Sequence, residues 1–157
     1  MVLKLIIGLG NPGKKYAKTR HNLGARVVEA WHEQNHGAAD VLLPQAGTYM
    51  NDFGTIVPKD RELLVVHDDI EVPLEQMRFT AGGSARGHKG VRSVQAALGT
   101  RDIPRLRLGV GRPPEGIEVE DYVLAEFTDE EMGVVEEMMR EAMDYLTRLV
   151  HEPPSPS

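Results

Sequence analysis

Four polar side chains have the types and placements from which a hydrolytic site can be built: Asn11 and His21 in the stretch from Lys4 to Asn22, Asn51 in a central loop, and Asp68 at the end of an apolar run. A neutral imidazole at His21 takes a proton from water near neutral pH. A carboxylate at Asp68 holds the ring in the useful tautomer and stabilises the imidazolium that forms. Asn11 and Asn51 are neutral amides, able both to donate to a carbonyl or developing oxyanion and to accept from an amide N–H. The combination suits a site that reads amides and esters and uses water as the attacker. Serine chemistry fits poorly, because Ser84, Ser93, Ser155 and Ser157 are the only serines and none lies in a strand-turn-helix elbow. The chain has no cysteine, which removes thiol nucleophiles, disulfides and zinc-thiolate sites. On these residues alone, His21 reads equally well as a base and as a satisfied buried histidine.

The elements that must carry these groups follow from apolar patterning. The run from Lys4 to Leu9 is rich in leucine and isoleucine and reads as a buried strand of a largely parallel sheet, ended by Gly8, Gly10, Asn11-Pro12 and Gly13. A helix from about Asn22 to Gln34 follows. Asn11 and His21 therefore sit at a strand end and a helix start, where open α/β sheets build their sites. Val41 to Leu43 predicts a short strand, and Gln45 to Gly54 a loop or single helical turn containing Tyr49-Met50-Asn51. Leu63 to Val66 predicts a second buried strand ending at His67-Asp68-Asp69. Gln76 to Thr80 reads as another strand and Ala81 to Gly87 as a flexible glycine loop. His88-Lys89-Gly90 then leads into a helix with Val91, Val94, Ala97 and Leu98 on one side, stopped by Gly99. Leu106 to Gly111 predicts the last central strand. Thr128 and Glu131 match a capping box that opens a final helix, with Val135, Met138, Ala142, Leu146 and Leu149 among its apolar positions. These signals predict an α/β fold, a single-domain open sheet, mixed but mostly parallel, flanked by helices over residues 1–150. Residues 151–157 read as a disordered Pro/Ser tail. His32 and His36, four apart with no third ligand in view, read as surface histidines.

At 157 residues the chain is long enough for one core without staples. Its apolar start is too short for a membrane span and no small-residue cleavage site follows it, so the expected location is the cytoplasm. The net charge of −6 hides an asymmetry: residues 1–114 carry +5 and residues 115–157 carry −11. A basic face is what meets phosphate, and the asymmetry leaves room for one; the plain alternative is that the charges only solvate surfaces.

Gly8-Leu9-Gly10-Asn11-Pro12-Gly13 has the G-x-G-x-x-G spacing of a dinucleotide loop. That reading is weak, because Pro12 lacks an N–H for a pyrophosphate, the helix opens late, and no acidic residue ends a second strand at the required distance. The same string, followed by Tyr16 and Thr19-Arg20-His21-Asn22-Leu23-Gly24, closely resembles the start of bacterial-type peptidyl-tRNA hydrolases. Tyr49-Met50-Asn51, His67-Asp68-Asp69, Gly82-Gly83, Gly87-His88-Lys89-Gly90 and Arg105 to Gly111 continue the resemblance in family order to about Leu146.

The resemblance implies a peptidyl-tRNA hydrolase-like fold and an enzyme that cleaves the ester between a peptide, or an N-blocked amino acid, and the 3′ ribose of tRNA. It implies His21 as the catalytic base, Asp68 as its support, and Asn11 as the residue that tells a blocked amino group from a free one. Tyr16, Tyr49, Met50, Asn51, Lys89 and Arg107 are implied to bind the tRNA end and the peptide. Peptidyl-tRNA is the implied partner, with no metal, no organic cofactor, no membrane, and a monomeric state. Lys89 stands where the family usually has asparagine, and Thr80 where it is often basic. The segments Ala38 to Gln45 and Asp52 to Leu63 look trimmed. The rival expectation is a non-catalytic RNA-binding protein on the same fold, since a fold does not fix a function.

Overall fold

The computed structural model describes residues 3–151; of the tail read from the sequence, His151 belongs instead to the final helix, and residues 152–157 lie outside the described residues. Five strands, β1 (Leu5–Gly8), β2 (Asp40–Leu42), β3 (Leu63–Asp69), β4 (Met77–Thr80) and β5 (Arg105–Gly109), form one sheet in the order β2-β1-β3-β5-β4. β2, β1, β3 and β5 run parallel, and β4 closes the edge antiparallel to β5. Successive side chains of a strand point to opposite faces. Ile6, Leu64, Val66, Leu106 and Leu108 accordingly pack with α1 (Leu23–Gln34) and α4 (Asp129–His151). Leu5, Ile7, Leu63 and Val65 pack on the other face with α2 (Lys89–Leu98) and a 3₁₀ segment, Met50–Ile56. A short helix, α3 (Val119–Val123), stands beside the 3₁₀ turn Arg20–Asn22 that precedes α1.

Three departures from the sequence expectation have physical causes. β3 continues beyond its apolar run through His67 and Asp68 to Asp69, because β5 offers backbone partners at each step, with His67 opposite Arg107 and Asp68 opposite Leu108. Met50–Ile56 is a 3₁₀ segment of seven residues rather than a single turn. It lies tightly on α2, and the absence of side chains at Gly54 and Gly90 allows this: a Cβ on Gly54 would overlap the Ser93 carbonyl, and one on Gly90 the Met50 sulfur. The glycine loop read as flexible is tied down, since Arg105 donates to the carbonyls of Gly83 and Ser84 at 2.9 and 3.0 Å and Gln95 donates to Gly83 at 2.7 Å. The capping box forms as expected, with Glu131 Oε1 accepting from Thr128 N–H at 2.8 Å and Thr128 Oγ1 from Glu131 N–H at 3.2 Å.

Candidate active site

The carboxyl ends of β1 and β3 lie side by side, Gly8 opposite Val66, so the loop after one strand meets the polar end of the other. α1 starts directly against β3. A Cβ on Gly24 would overlap the Val66 carbonyl, and this closeness carries the 3₁₀ turn with His21 up to Asp68. His21 Nδ1 lies 2.9 Å from Asp68 Oδ2. With Nδ1 donating to a carboxylate, the lone pair is on Nε2, the tautomer a general base needs.

Asp68 is shared. His88 accepts from Val91 N–H through Nδ1, capping α2, so its Nε2 carries the proton and donates to Asp68 Oδ1 at 2.9 Å. The buried carboxylate thus receives an imidazole N–H on each oxygen. Burial alone would raise its pKa, but the charges and hydrogen bonds of His21 and His88 hold it far below the usual carboxylate range. Asp68 is therefore ionised at neutral pH. Burial lowers the pKa of His21, yet the Asp68 charge and hydrogen bond outweigh burial and the opposing charge of Lys89, leaving it above the ordinary value of 6.5. His67, fully buried, donates from Nδ1 to the Asp68 carbonyl at 2.7 Å and has no partner at Nε2. Burial, with His88 close by, pushes its pKa down to about 3, so it stays neutral.

Asn11 is oriented from two sides. Its backbone is clasped by Asn22, whose side chain accepts from Asn11 N–H and donates to Asn11 C=O, both at 2.9 Å. Its Oδ1 accepts from Met50 N–H at 2.6 Å. Only the oxygen can accept there, so the amide flip is fixed and the group left for a ligand is the Nδ2 donor. The sequence reading gave Asn11 both roles; the fold leaves it chiefly the donating one.

One cavity of about 540 Å³ opens beside His21, Asp68 and His88. His21, Asp68, Asn11, Tyr49, Met50, Asn51 and Lys89 all border it. Two expected site residues stand apart. Tyr16 packs edge-on against Tyr49, ring centroids 6.3 Å apart, and does not itself line the cavity. Arg107 is buried in β5 with Nε on Asp69 Oδ2 at 2.7 Å, so its charge is spent on a carboxylate rather than open to the cavity. His88 was missed as a site residue, although a histidine heading a helix after a glycine loop repeats the placement that singled out His21. The wall made by Ile70, Val119, Val123 and Leu124 carried no polar signal to find it by.

His21, Asp68 and His88 each offer one donor atom within 4.8 Å of the others, a spacing a metal ion could use. The donor chemistry favours hydrogen bonds, since both imidazole atoms facing Asp68 carry protons in the tautomers just derived. Among the described residues no helix is long and apolar enough to cross a membrane.

A sequence model of the family described as "Peptidyl-tRNA hydrolase" matches residues 5–155. Proteins of that name from Thermus thermophilus and Aquifex aeolicus are 41% and 36% identical, covering 94% and 98% of this chain and 90% and 93% of their own lengths. The crystal structure of peptidyl-tRNA hydrolase from Acinetobacter baumannii superposes with a TM-score of 0.84 at 28% identity, covering 95% of this chain and 89% of that one.

Proposed function

The chain belongs to the peptidyl-tRNA hydrolase family and hydrolyses peptidyl-tRNA, and we propose that His21 Nε2 is the base that activates the water. The water loses a proton to His21 and its oxygen bonds to the ester carbonyl carbon. The tetrahedral intermediate collapses with cleavage of the bond to the ribose oxygen, which takes the proton back from the imidazolium. Free tRNA leaves with the peptide, whose new carboxylic acid gives its remaining proton to solvent. Asp68, ionised and fixed by His88, favours the imidazolium through the Nδ1 contact, without itself accepting the proton. The observation that carries this reading is the 2.9 Å contact of His21 Nδ1 with a carboxylate that cannot protonate near neutral pH.

Asn11 and the cavity ends divide the substrate. An outward-facing Nδ2 donor suits the carbonyl of a peptide or acyl group and gives a free α-ammonium nothing to bond to, which selects blocked substrates. Tyr49, Asn51 and Lys89 border the cavity where the 3′ nucleotide and its phosphate approach. Tyr16 and Arg107 act one step back, through Tyr49 and Asp69. The test is release of the acyl group from N-blocked aminoacyl-tRNA beside the unblocked form. Selective release is expected; tight binding of both without release would favour an RNA-binding role on this fold.

A further inference from the structure

We infer that Arg20 is a positioning residue that locks the base-bearing turn, Arg20–Asn22, to the α3 wall of the cavity. This rests on the assignment of His21 as the base. Arg20 is 6% exposed. Its guanidinium carbon lies 4.1 Å from the ring centroid of Tyr122 and 5.4 Å from that of Phe127. One terminal nitrogen donates to the Tyr122 carbonyl at 3.0 Å and the other to Glu131 Oε1 at 2.8 Å. Its backbone N–H donates to Ala125 at 3.0 Å, and Thr19 forms a bridge with Glu126. Tyr122 lies in α3, the helix that presents Val119, Glu120 and Val123 to the cavity, and its hydroxyl donates to Val110 C=O at 2.6 Å just after β5. Glu131 belongs to the first turn of α4 and also caps it. One cation therefore ties the residue before His21 to α3, to α4 and, through Tyr122, to the end of β5.

Stability alone is a poor reason for this arrangement. Arg20 Nε is buried without a partner, and a well-packed apolar side chain fills such a site at no greater cost than an incompletely satisfied cation. What the guanidinium adds is direction, because its fork reaches Tyr122 and Glu131 together only when turn and wall are in one register. A displacement of about 1 Å in a reacting group can cost 10²-fold in rate, and His21 is the next residue. The groups facing His21 are Asp68 from β3 and His88 and Lys89 from the start of α2; Glu120 of α3 lines the same cavity.

The experiment compares Arg20→Met, Arg20→Lys and Glu131→Gln in the full chain. It reads the His21 imidazole titration by NMR without substrate, identified by its loss in His21→Ala, together with kcat and KM on N-blocked aminoacyl-tRNA. Arg20→Met should lower kcat at least ~10-fold, more than it changes KM, and should move the His21 midpoint downward as its alignment with Asp68 loosens. Arg20→Lys should recover part of both, since it keeps the pair with Glu131 and loses the fork. A folded Arg20→Met, judged by near-UV circular dichroism, with wild-type kcat and an unmoved His21 midpoint overturns the proposal whatever its melting temperature. If Arg20→Met does not fold, Glu131→Gln decides: a lowered midpoint supports the proposal and an unmoved one overturns it. Failure of the hydrolase reading shows separately, as no release by the wild type, and leaves the NMR titration intact.

Discussion

A carboxylate between two imidazoles determines how this site responds to pH. The base proposed for this site, His21, can accept a proton only when neutral, and its pKa is raised above 6.5, so kcat/KM should rise with pH through a midpoint above that value. His21→Ala should lower turnover by roughly 10²- to 10⁴-fold with the fold intact. Asp68→Asn removes the influence that raises His21, leaving burial and Lys89 to lower it, so the acid limb should move to lower pH while the plateau falls. An acid limb that stays in place would separate Asp68 from the base. His67 makes a different prediction, about stability. Its pKa drops from 6.5 unfolded to about 3 folded, so between those values the unfolded chain binds the extra proton. Stability should then fall as pH drops through that window, by up to about 1.4 kcal/mol per pH unit for one proton. His67→Asn, which keeps a donor where Nδ1 sits, should flatten that dependence in denaturant melts taken from pH 7 to pH 4; an equally steep variant would assign the acid sensitivity to other groups.

Elements bring the site together through close backbone approaches, and these are where a single methyl group should do most damage. Gly24 lies where α1 meets β3, with the Val66 carbonyl and His67 Cα in the space a Cβ would fill. Gly24→Ala should therefore force α1 outward, cost about 1 to 3 kcal/mol, and draw His21 away from Asp68. Activity lost at temperatures where circular dichroism still shows the full fold is the expected outcome, and an active, equally stable variant would mean that helix and strand adjust freely. The sequence made the strands legible because Leu5 to Ile7 and Leu63 to Val66 are apolar throughout, as strands covered on both faces must be. It made Asn11 and Asp68 legible because polar residues follow those runs at their ends, and His21 because it stands where the next helix begins. His88 was harder to find, because its role depends on Asp68 having a second oxygen free in space, which no spacing records. Arg107 is implied as a phosphate contact by the family resemblance alone, and its pairing with Asp69 requires knowing that β3 and β5 are neighbours.

On the scale of the molecule, the puzzle is how a chain of net charge −6 meets a polyanion. The fold sets much of the acidic charge away from the cavity, with Glu120 of α3 left on its border. Lys89 lies at the start of α2 on one face of the sheet, while the exposed Glu136, Glu141 and Asp144 ride on α4, which covers the other. Sheet and helix layers stack roughly 10 Å apart, as far as charges act through physiological salt, so α4 is largely screened from anything docked at the cavity. Cations should then matter by place rather than by number. Lys89→Ala should weaken binding of N-blocked aminoacyl-tRNA and reduce the slope of log K against log salt by ~0.7 to 0.9, the effect of one lost phosphate contact. Arg107→Ala removes the same formal charge but leaves the half-buried Asp69 without its cation, so it should lower stability and leave the slope near that of the wild type. Neutralising Glu136, Glu141 and Asp144 together changes the net charge three times as far and should move the slope less than Lys89→Ala does. Binding measured from 50 to 300 mM salt decides it: if the α4 variant shifts the slope more than Lys89→Ala, tRNA responds to the total charge and the separation across the sheet has no effect.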